Sequence, residues 1–331
     1  MGAVDTEIVV VGAGVMGLAT ARELSRRGHD VAVCEQFEHG HARGSSHGSS
    51  RIVRVSYPEA RWVRLAQESF PLWRELEAES GRTLLELHGT LDLGDWEPNR
   101  DALAACGAAF QVLEAAEIDR RFGIRTDDGS RGLYQEEGGI LLADRVLEAL
   151  ADGLEVREGL RVDAVEEQDG AVVAGGIRAR VAVVTAGAWA PALVGVDARP
   201  TVETVSYFAL DEALPSVIDT STGTHPGYAL SSPGGALKAG LHQSGPTADP
   251  DVAAEPDPQL AQRTADWVAQ RFPAAGPVAK LETCLYTIRA DDEFLLERRG
   301  RVVVGSASSG HGFKFAPVVA RRLADLAAEL L

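Results

Sequence analysis

Two apolar runs near the start of the chain predict buried strands. Residues Glu7 to Val11 form a β-branched run, and Val31 to Cys34 form a second one. Between them, residues from Leu18 to Arg27 have the spacing of a helix. A strand, a helix and a strand in this order predict a parallel βαβ unit and therefore an α/β sheet.

Two later parts of the chain are expected to return to this sheet. Residues 154–184 show short strand patterns with turns at 167–170 and 175–176, and they end in the apolar strand from Arg180 to Val184. The last segment, Ala316 to Leu331, predicts an amphipathic helix. Its inward side is predicted to consist of Val318, Val319, Leu323, Leu326 and Leu330.

These patterns predict two domains, in keeping with the length of the chain. The first is a Rossmann-like α/β domain, which is discontinuous and comprises residues 1–80, 140–199 and 284–331. Residues 81–139 and 200–283 lack its pattern and contain strand-like pieces such as Thr90 to Leu93 and Thr204 to Phe208. We predict that they form an inserted, mainly antiparallel β-sheet domain that carries helices (α+β) and covers the ligand site.

Composition narrows the class of protein. The chain has 331 residues, 45% of them hydrophobic, but no apolar run reaches the roughly 18 to 20 residues of a membrane span. The start of the chain lacks the layout of a signal peptide, so a cytoplasmic protein is expected. Cys34, Cys106 and Cys284 are widely spaced, which predicts neither a disulfide framework nor a metal site. A net charge of −17 disfavours a nucleic-acid partner, and an anionic ligand would need a local basic pocket.

A glycine fingerprint joins the first strand to the first helix. Gly12 is expected to permit a tight turn, Gly14 to let backbone amides approach a pyrophosphate, and Gly17 to let the helix pack on the strand. Glu35, at the end of the second strand, is placed to accept hydrogen bonds from an adenosine ribose. FAD and NAD both fit at this point. The adjoining Val15, Met16 and Gln36 are predicted as further contacts.

Residues 41–54 follow the second strand and are rich in glycine, serine and basic residues. Their composition predicts a functional loop without helix or strand. The alternative is a solvated loop that carries a basic cluster.

Six motifs together resemble one family. They are the glycine fingerprint, GSSHGSSRIVR at 44–54, VVTAGAW at 183–189, KAGLH at 238–242, CLYT at 284–287 and SGHGFKF at 309–315. With them the chain resembles, nearly from end to end, the monomeric sarcosine oxidase family of the D-amino acid oxidase-like superfamily. The resemblance implies that the first domain binds FAD.

The resemblance also implies a covalent cofactor. In the family, the cysteine that matches Cys284 carries the flavin through a thioether to its 8α-methyl group. A thiolate is a strong nucleophile, so the attachment is chemically reasonable. The alternative is an inert cysteine packed in a strand.

Two cations are implied to bind the substrate. Lys314 lies between Phe313 and Phe315, and an ammonium group in such apolar surroundings needs an anionic partner. By resemblance, Lys314 and Arg54 bind the substrate carboxylate. The alternative for Arg54 is a surface arginine paired with a nearby acid such as Glu59.

Other residues acquire roles by resemblance. The counterpart of Lys238 assists dioxygen, because a fixed cation stabilises the negative charge that develops on it. His47 and Arg51 match residues near the flavin ring, and His242, Tyr286 and Tyr228 match the substrate pocket. Further cofactor contacts are predicted at Ser45, Ser46, Val162, Ala186, Gly187, Trp189, Gly310, Gly312 and Phe313. The remaining histidines are expected in loops or at the surface: His29, His39, His41, His88 and His225.

The resemblance implies a FAD-dependent amine oxidase. A carboxylate-bearing secondary or primary amine would be oxidised to an imine, and dioxygen would be reduced to hydrogen peroxide. One alternative is a flavin dehydrogenase or tailoring enzyme for a cyclic imino acid, and a remote one is a noncatalytic flavin-binding module. The chain is shorter than usual family members in its substrate layer, so the substrate itself stays open.

Overall fold

The computed structural model describes residues 4–38 and 40–331. His39, expected in a loop, lies outside the described residues. The strands are β1 (Thr6–Val11), β2 (Val31–Cys34), β3 (Ser50–Arg54), β4 (Leu85–Glu86), β5 (Thr90–Leu93), β6 (Gln111–Glu114), β7 (Arg131–Gln135), β8 (Gly138–Leu142), β9 (Glu155–Arg157), β10 (Val165–Gln168), β11 (Ala171–Ala174), β12 (Ile177–Val184), β13 (Arg199–Ala209), β14 (Ser216–Asp219), β15 (Gly227–Ser232), β16 (Ala236–Leu241), β17 (Val278–Ile288), β18 (Leu295–Arg299) and β19 (Val302–Ser306). The α-helices are α1 (Val15–Arg26), α2 (Ala60–Ser80), α3 (Glu97–Ala105), α4 (Ala115–Phe122), α5 (Ala143–Ala151), α6 (Ala190–Val194), α7 (Pro258–Arg271) and α8 (Ala316–Ala328).

The first sheet contains the predicted α/β core. Strands β19, β12, β1, β2 and β9 pair in parallel in this order. The antiparallel strands β10 and β11 extend from the start of β12, and β18 pairs antiparallel with β19. The alternation of strands with helices confirms the predicted Rossmann-like fold. Helix α1 begins at Val15, three residues earlier than predicted, because Gly14 is extended and acts as its N-cap.

The second sheet has the strand order β17-β13-β16-β15-β14-β5-β7-β6. All of these neighbours are antiparallel except β14 and β5. Strand β17 runs without interruption across residue 284, so Cys284 lies in this sheet. The division of the chain into two discontinuous domains remains a prediction.

A small third sheet, β3-β8-β4, corrects one sequence-based expectation. Residues 41–54 were expected to lack strands, but Ser50–Arg54 forms β3 and pairs antiparallel with β8. Ile52 and Val53 are β-branched, and β8 supplies a complete row of backbone partners. The irregular part is limited to the residues before Ser50.

Helices on the first sheet enclose the main core. Helices α1, α2, α5 and α8 pack together, and Trp73, Phe315 and Leu323 are fully buried there. Helix α7, which the sequence did not predict, packs on β13 and β16 with Trp267 and Val268 buried. No helix in the described part of the chain is long and apolar enough to cross a membrane.

Candidate active site

A cavity of about 1260 Å³ begins at the carboxyl ends of β1 and β2 and extends to residues of β3, β16 and β17. The carboxyl edge of a parallel sheet is where doubly wound folds bind ligands. All of the predicted site residues except Gly17 line this cavity. Residues from distant parts of the chain thus meet at one place.

The glycines at the first end of the cavity serve different purposes. Gly12 has a φ of +98°, and a Cβ there would lie 2.8 Å from the carbonyl oxygen of Thr185. A Cβ on Gly17 would lie 1.8 Å from the carbonyl oxygen of Gly12, so Gly17 permits the contact between α1 and the preceding turn. A Cβ on Gly14 would meet Ser46 Oγ, at 3.1 Å, and Gly14 lines the cavity. At Gly14, unlike Gly12 and Gly17, no backbone atom of the protein excludes a side chain.

Glu35 is held rigidly at the end of β2. Its Oε2 accepts a hydrogen bond from the backbone N–H of Ala13 at 2.8 Å, and Oε1 accepts one from Phe37 at 3.0 Å. Ser46 Oγ accepts a hydrogen bond from the N–H of Val15 at 3.0 Å, which ties the segment before β3 to the start of α1. These bonds fix the carboxylate and the fingerprint relative to each other.

Arg51 and Lys238 converge on one backbone oxygen. Arg51 Nη1 donates to the carbonyl of Ser50 at 2.9 Å, and Lys238 Nζ donates to the same oxygen at 3.0 Å. Arg51 Nη2 also donates to the carbonyls of Ser45 and His47, at 2.7 and 2.6 Å. The guanidinium therefore holds the segment before β3 in a defined shape and places two cations side by side.

Burial and charge control protonation in this region. Burial, followed by the repulsion of Arg51, lowers the pKa of Lys238 to about 7, while Cys284, Glu282 and Asp144 act in the opposite direction. Burial, followed by Arg51 and Lys238, lowers the pKa of His47 to about 4. At neutral pH His47 is therefore uncharged, and Lys238 is close to its titration midpoint.

Cys284 projects into the same region from β17. It lies opposite Glu203 in the pairing with β13, and its Sγ is 4.0 Å from the carbonyl oxygen of Ser45. Burial raises the pKa of the thiol, whereas Arg51 and Lys238 oppose that rise. Nearby cations are the usual means of favouring a thiolate.

Lys314 is a buried cation without an anionic partner. It lies in the short 3₁₀ helix Phe313–Phe315, where its carbonyl oxygen accepts bonds from Ser69 Oγ at 2.6 Å and Trp73 Nε1 at 2.8 Å. Its Nζ donates to the carbonyl of His311 at 2.8 Å, and it makes no ion pair within residues 4–38 and 40–331. Burial, followed by Arg54, lowers its pKa well below the usual value.

Arg54 lies close to Lys314, at the end of β3. The two cations share one aromatic neighbour, since Arg54 Cζ is 4.6 Å and Lys314 Nζ 5.6 Å from the ring centre of Tyr57. Arg54 does pair with an acid, but this acid is the buried Asp92, whose Oδ1 is 3.1 Å from Arg54 Nη1, and not Glu59 at the surface. Glu59 instead pairs with Arg61 at the surface.

The remaining predicted pocket residues form an uncharged wall. The rings of His242 and Tyr286 lie 5.7 Å apart, and Gly310 makes this arrangement possible, since a Cβ there would lie 2.3 Å from Tyr286 Cε2. Burial, followed by Arg54 and Lys314, lowers the pKa of His242 to about 4. Tyr228 lies on β15 opposite Gly240, and burial raises its pKa above the usual range.

Comparison with known proteins identifies the family. Residues 7–326 match the family described as FAD dependent oxidoreductase (DAO). Peroxisomal sarcosine oxidase of Homo sapiens is 32% identical over 364 residues, which cover 98% of this chain and 92% of the relative. The chain belongs to the FAD-dependent oxidoreductase family.

Further relatives of this FAD-dependent oxidoreductase agree with the assignment. The probable sarcosine oxidase of Arabidopsis thaliana is 31% identical over 370 residues, covering 98% of this chain and 88% of the relative. Among solved structures, the open form of NikD, an unusual amino acid oxidase essential for nikkomycin biosynthesis, matches with a TM-score of 0.87 at 25% identity. That match covers 98% of this chain and 94% of NikD.

The residues of this FAD-dependent oxidoreductase fit the cofactor of its family. The cavity, at about 1260 Å³, exceeds the roughly 300 to 1,000 Å³ of ordinary small-molecule sites, which leaves room for a dinucleotide together with a substrate. Gly14 leaves space at the N-terminus of α1, where the helix dipole favours a pyrophosphate. Glu35 carries the carboxylate expected for a ribose, and Arg51, Lys238 and Cys284 line the same cavity.

Sequence reasoning missed several residues of the site. Asp92, Tyr57 and Glu282 line the cavity, and Tyr207 contacts it through Glu282. Asp92 stands within the strand Thr90–Leu93, and an acid in a buried strand indicates a buried partner. Tyr207 donates a hydrogen bond to Glu282 at 2.7 Å, beside Lys238, but only the sheet register reveals this neighbourhood.

Proposed function

We propose that the protein oxidises an amine that bears one carboxylate, such as an N-methyl or cyclic amino acid, to an imine. The observation that carries this proposal is Lys314, a buried cation to which no described residue supplies an anion, beside Arg54 in a cavity that also contains a dinucleotide fingerprint. When bound, FAD supplies a two-electron acceptor for the hydride equivalent that leaves the carbon next to the substrate nitrogen. Sarcosine oxidase relatives support this chemistry on CH–NH groups.

Arg54 and Lys314 bind and orient the substrate carboxylate. Because Lys314 is buried near another cation, an incoming carboxylate favours its protonated form and gains a charge-assisted hydrogen bond. His242 is neutral at pH 7, so it does not repel a cationic amine as the substrate enters. The substrate reacts with its nitrogen uncharged, since only the free base can support the departing hydride with its lone pair.

Lys238 acts on dioxygen, the proposed electron acceptor. Reduction of dioxygen to hydrogen peroxide takes two electrons and two protons, and its first step places a negative charge on oxygen. A fixed cation in a site with little water stabilises that charge without reorganisation. Lys238 is 6% exposed and held by the carbonyl of Ser50, which provides such a fixed cation.

Cys284 is proposed to attach the cofactor covalently. Cys284 would form a thioether between its sulphur and the 8α-methyl carbon of FAD. The thiol and the methyl group would each lose one proton, and dioxygen would accept the two protons and the two electrons to give hydrogen peroxide. Arg51 and Lys238 support the reactive thiolate, because both oppose the rise that burial causes in its pKa.

A colour test examines the tether. Denatured and precipitated wild-type protein is expected to stay yellow, and Cys284→Ala is expected to release its flavin, whereas Cys106→Ala, a control on α3's C-terminal side, retains it. Free FAD in the supernatant of acid-precipitated wild type would contradict the attachment but leave flavin binding intact.

A substrate panel tests the reaction itself. The panel contains N-methyl amino acids, proline, pipecolate and glycine, and bleaching of the flavin absorbance is followed without oxygen. At least one member is expected to bleach the flavin. Analogues that lack the carboxylate are expected to leave the flavin oxidised. If no carboxylate-bearing amine bleaches it, the proposed function is wrong. Oxygen consumption with the active amine then separates an oxidase from a dehydrogenase that passes its electrons elsewhere.

A further inference from the structure

A buried carboxylate lies behind the two cations. Asp92, on β5, is 3% exposed, and its Oδ1 accepts the hydrogen bond from Arg54 Nη1. Its Oδ2 accepts hydrogen bonds from Ser56 Oγ and from Asn99 Nδ2, the latter at 2.9 Å. Arg54, Asp92 and Asn99 all line the cavity. Asp92 is therefore part of the pocket wall, although the proposed reaction assigns it no task.

The buried charges at this end of the cavity do not cancel. Arg54 and Lys314 contribute two positive charges, and Asp92 contributes one negative charge. The nearby imidazoles are neutral at pH 7, since burial and the surrounding cations lower the pKa of His242 to about 4 and that of His311 to about 3. Asp292 is close to His242 but lies in an exposed turn, where Gln243 Nε2 donates to its Oδ1 at 3.0 Å. With Lys314 protonated, the buried group carries one net positive charge.

Asp92 also restricts how Arg54 can bind. Nη1 of Arg54 is engaged by Asp92 Oδ1, so a substrate carboxylate cannot take that nitrogen without competing with a buried anion. Ser56 and Asn99 keep Asp92 in place from the other side. A ligand with two carboxylates would bring a second negative charge into a cavity that Asp92 already lines, and Asp92 occupies one nitrogen of Arg54. Like charges at short range in a buried site repel strongly.

We propose that Asp92 makes the pocket selective for substrates with one carboxylate and against dicarboxylate amines. This inference rests on the proposed function, because it assumes that Arg54 and Lys314 bind a substrate carboxylate. Asp92 acts through Arg54 and through its own charge, so it is a positioning and specificity residue. The substrates of the protein would then be monocarboxylate amines that have a hydrogen or an uncharged group where a dicarboxylate has its second carboxylate.

Binding of two matched ligands to the holoenzyme tests the proposal. Malonate and its monoamide, malonamate, have nearly the same shape but differ by one negative charge. Dissociation constants are measured from changes in the flavin absorption spectrum and checked by the rise in melting temperature. Wild type is expected to prefer malonamate by about tenfold or more, which corresponds to at least about 1.4 kcal/mol.

Asp92→Asn keeps an acceptor for Arg54 and removes the charge. We expect it to shift the ratio of the two dissociation constants by about tenfold toward malonate. Asp95→Asn is the matched control, because Asp95 lines the same cavity three residues along but is exposed, and its ratio is expected to stay within about twofold. If Asp92→Asn does not fold, Asp92→Ser makes the same change of charge.

The outcomes separate this inference from the proposed function. If malonamate binds to wild type and the ratio is unchanged in the Asp92 variants, the role of Asp92 is overturned while the carboxylate site stands. The same holds if wild type does not discriminate between the ligands. If neither ligand binds and no carboxylate-bearing amine bleaches the flavin, the carboxylate site itself is wrong, and the proposal for Asp92 fails with it.

Discussion

Lys238 and Lys314 are both buried in one cavity, but their counter-charges come from different sources. Each donates one hydrogen bond to a backbone carbonyl, at 3.0 Å and 2.8 Å respectively. Burial and the neighbouring cation Arg51 lower the pKa of Lys238, but Cys284, Glu282 and Asp144 raise it. Among the described residues, Arg54 alone acts on Lys314 by its charge, and burial and Arg54 both lower the pKa of Lys314.

This difference assigns the two lysines different partners. The protein itself supports the charge of Lys238, which suits a group that must be cationic before dioxygen arrives. The charge of Lys314 depends on an anion from outside, which suits a group that binds a substrate carboxylate. Both conclusions follow from the rule that a buried charge requires compensation.

The largest expected effect is the fall in kcat/KM when Lys314, whose charge depends on a bound anion, is replaced. Lys314→Met is expected to lower kcat/KM by about 10²- to 10³-fold, because it removes one partner of a buried charge pair. Arg321→Met is the control, since Arg321 on α8 pairs with Glu75 at the surface and does not line the cavity. Steady-state peroxide formation measures both. A value for Lys314→Met within about threefold of wild type would show that Lys314 does not bind the substrate.

The second largest effect concerns Lys238, whose positive charge is supported by groups of the protein itself. Lys238→Met is expected to slow reaction of the reduced flavin with dioxygen by about 10²-fold, as for loss of a preorganised electrostatic group. The protein is reduced chemically and mixed with oxygenated buffer, so no substrate is needed. Reoxidation at nearly the wild-type rate would remove Lys238 from the oxygen reaction.

The third effect is a pH dependence. Lys238, with a pKa of about 7, is cationic below that pH and neutral above it. The rate constant for reoxidation is therefore expected to fall as the pH rises through about 7, and Lys238→Met is expected to lose this dependence. A wild-type rate that is constant or rising between about pH 6 and 9 would contradict the assignment.

The smallest expected effect comes from the carboxylate that supports Lys238. Glu282 raises the pKa of Lys238, so Glu282→Gln is expected to move the midpoint of the reoxidation profile to lower pH, by about one unit or less. The amide oxygen that this substitution introduces can still accept the hydrogen bond of Tyr207. A midpoint that moves to higher pH would mean that Glu282 does not act on Lys238 through its charge.

Local pattern is sufficient to predict the cofactor end of the molecule. The fingerprint, α1 and β2 lie within a short stretch of chain, and the strand from Val31 to Cys34 occurs as predicted. The β-branched residues and glycines there act on their immediate neighbours, so their consequences can be derived without distant contacts.

The substrate end depends on contacts between distant residues. The bond between Arg54 and Asp92 joins β3 to β5, and the neighbours of Lys238 come from β13, β17 and α5. Sheet register decides which of these side chains meet, and the sequence does not contain that register in local form. For this reason the sequence suggests the nearby Glu59 as a partner of Arg54 and does not suggest Asp92. The local sequence does not predict strand β3, because its pairing partner, β8, lies far along the chain.

The most direct test of the division between the two lysines measures each variant in the half-reaction that is assigned to the other lysine. Stopped-flow absorbance measures reduction of Lys238→Met by saturating amine without oxygen, and reoxidation of chemically reduced Lys314→Met by dioxygen. Each rate constant is expected to stay within about threefold of wild type, because each variant retains the lysine that serves the measured half-reaction. A loss of about tenfold or more in either rate constant would show that the two lysines act as one group, and their assignment to separate half-reactions would be wrong.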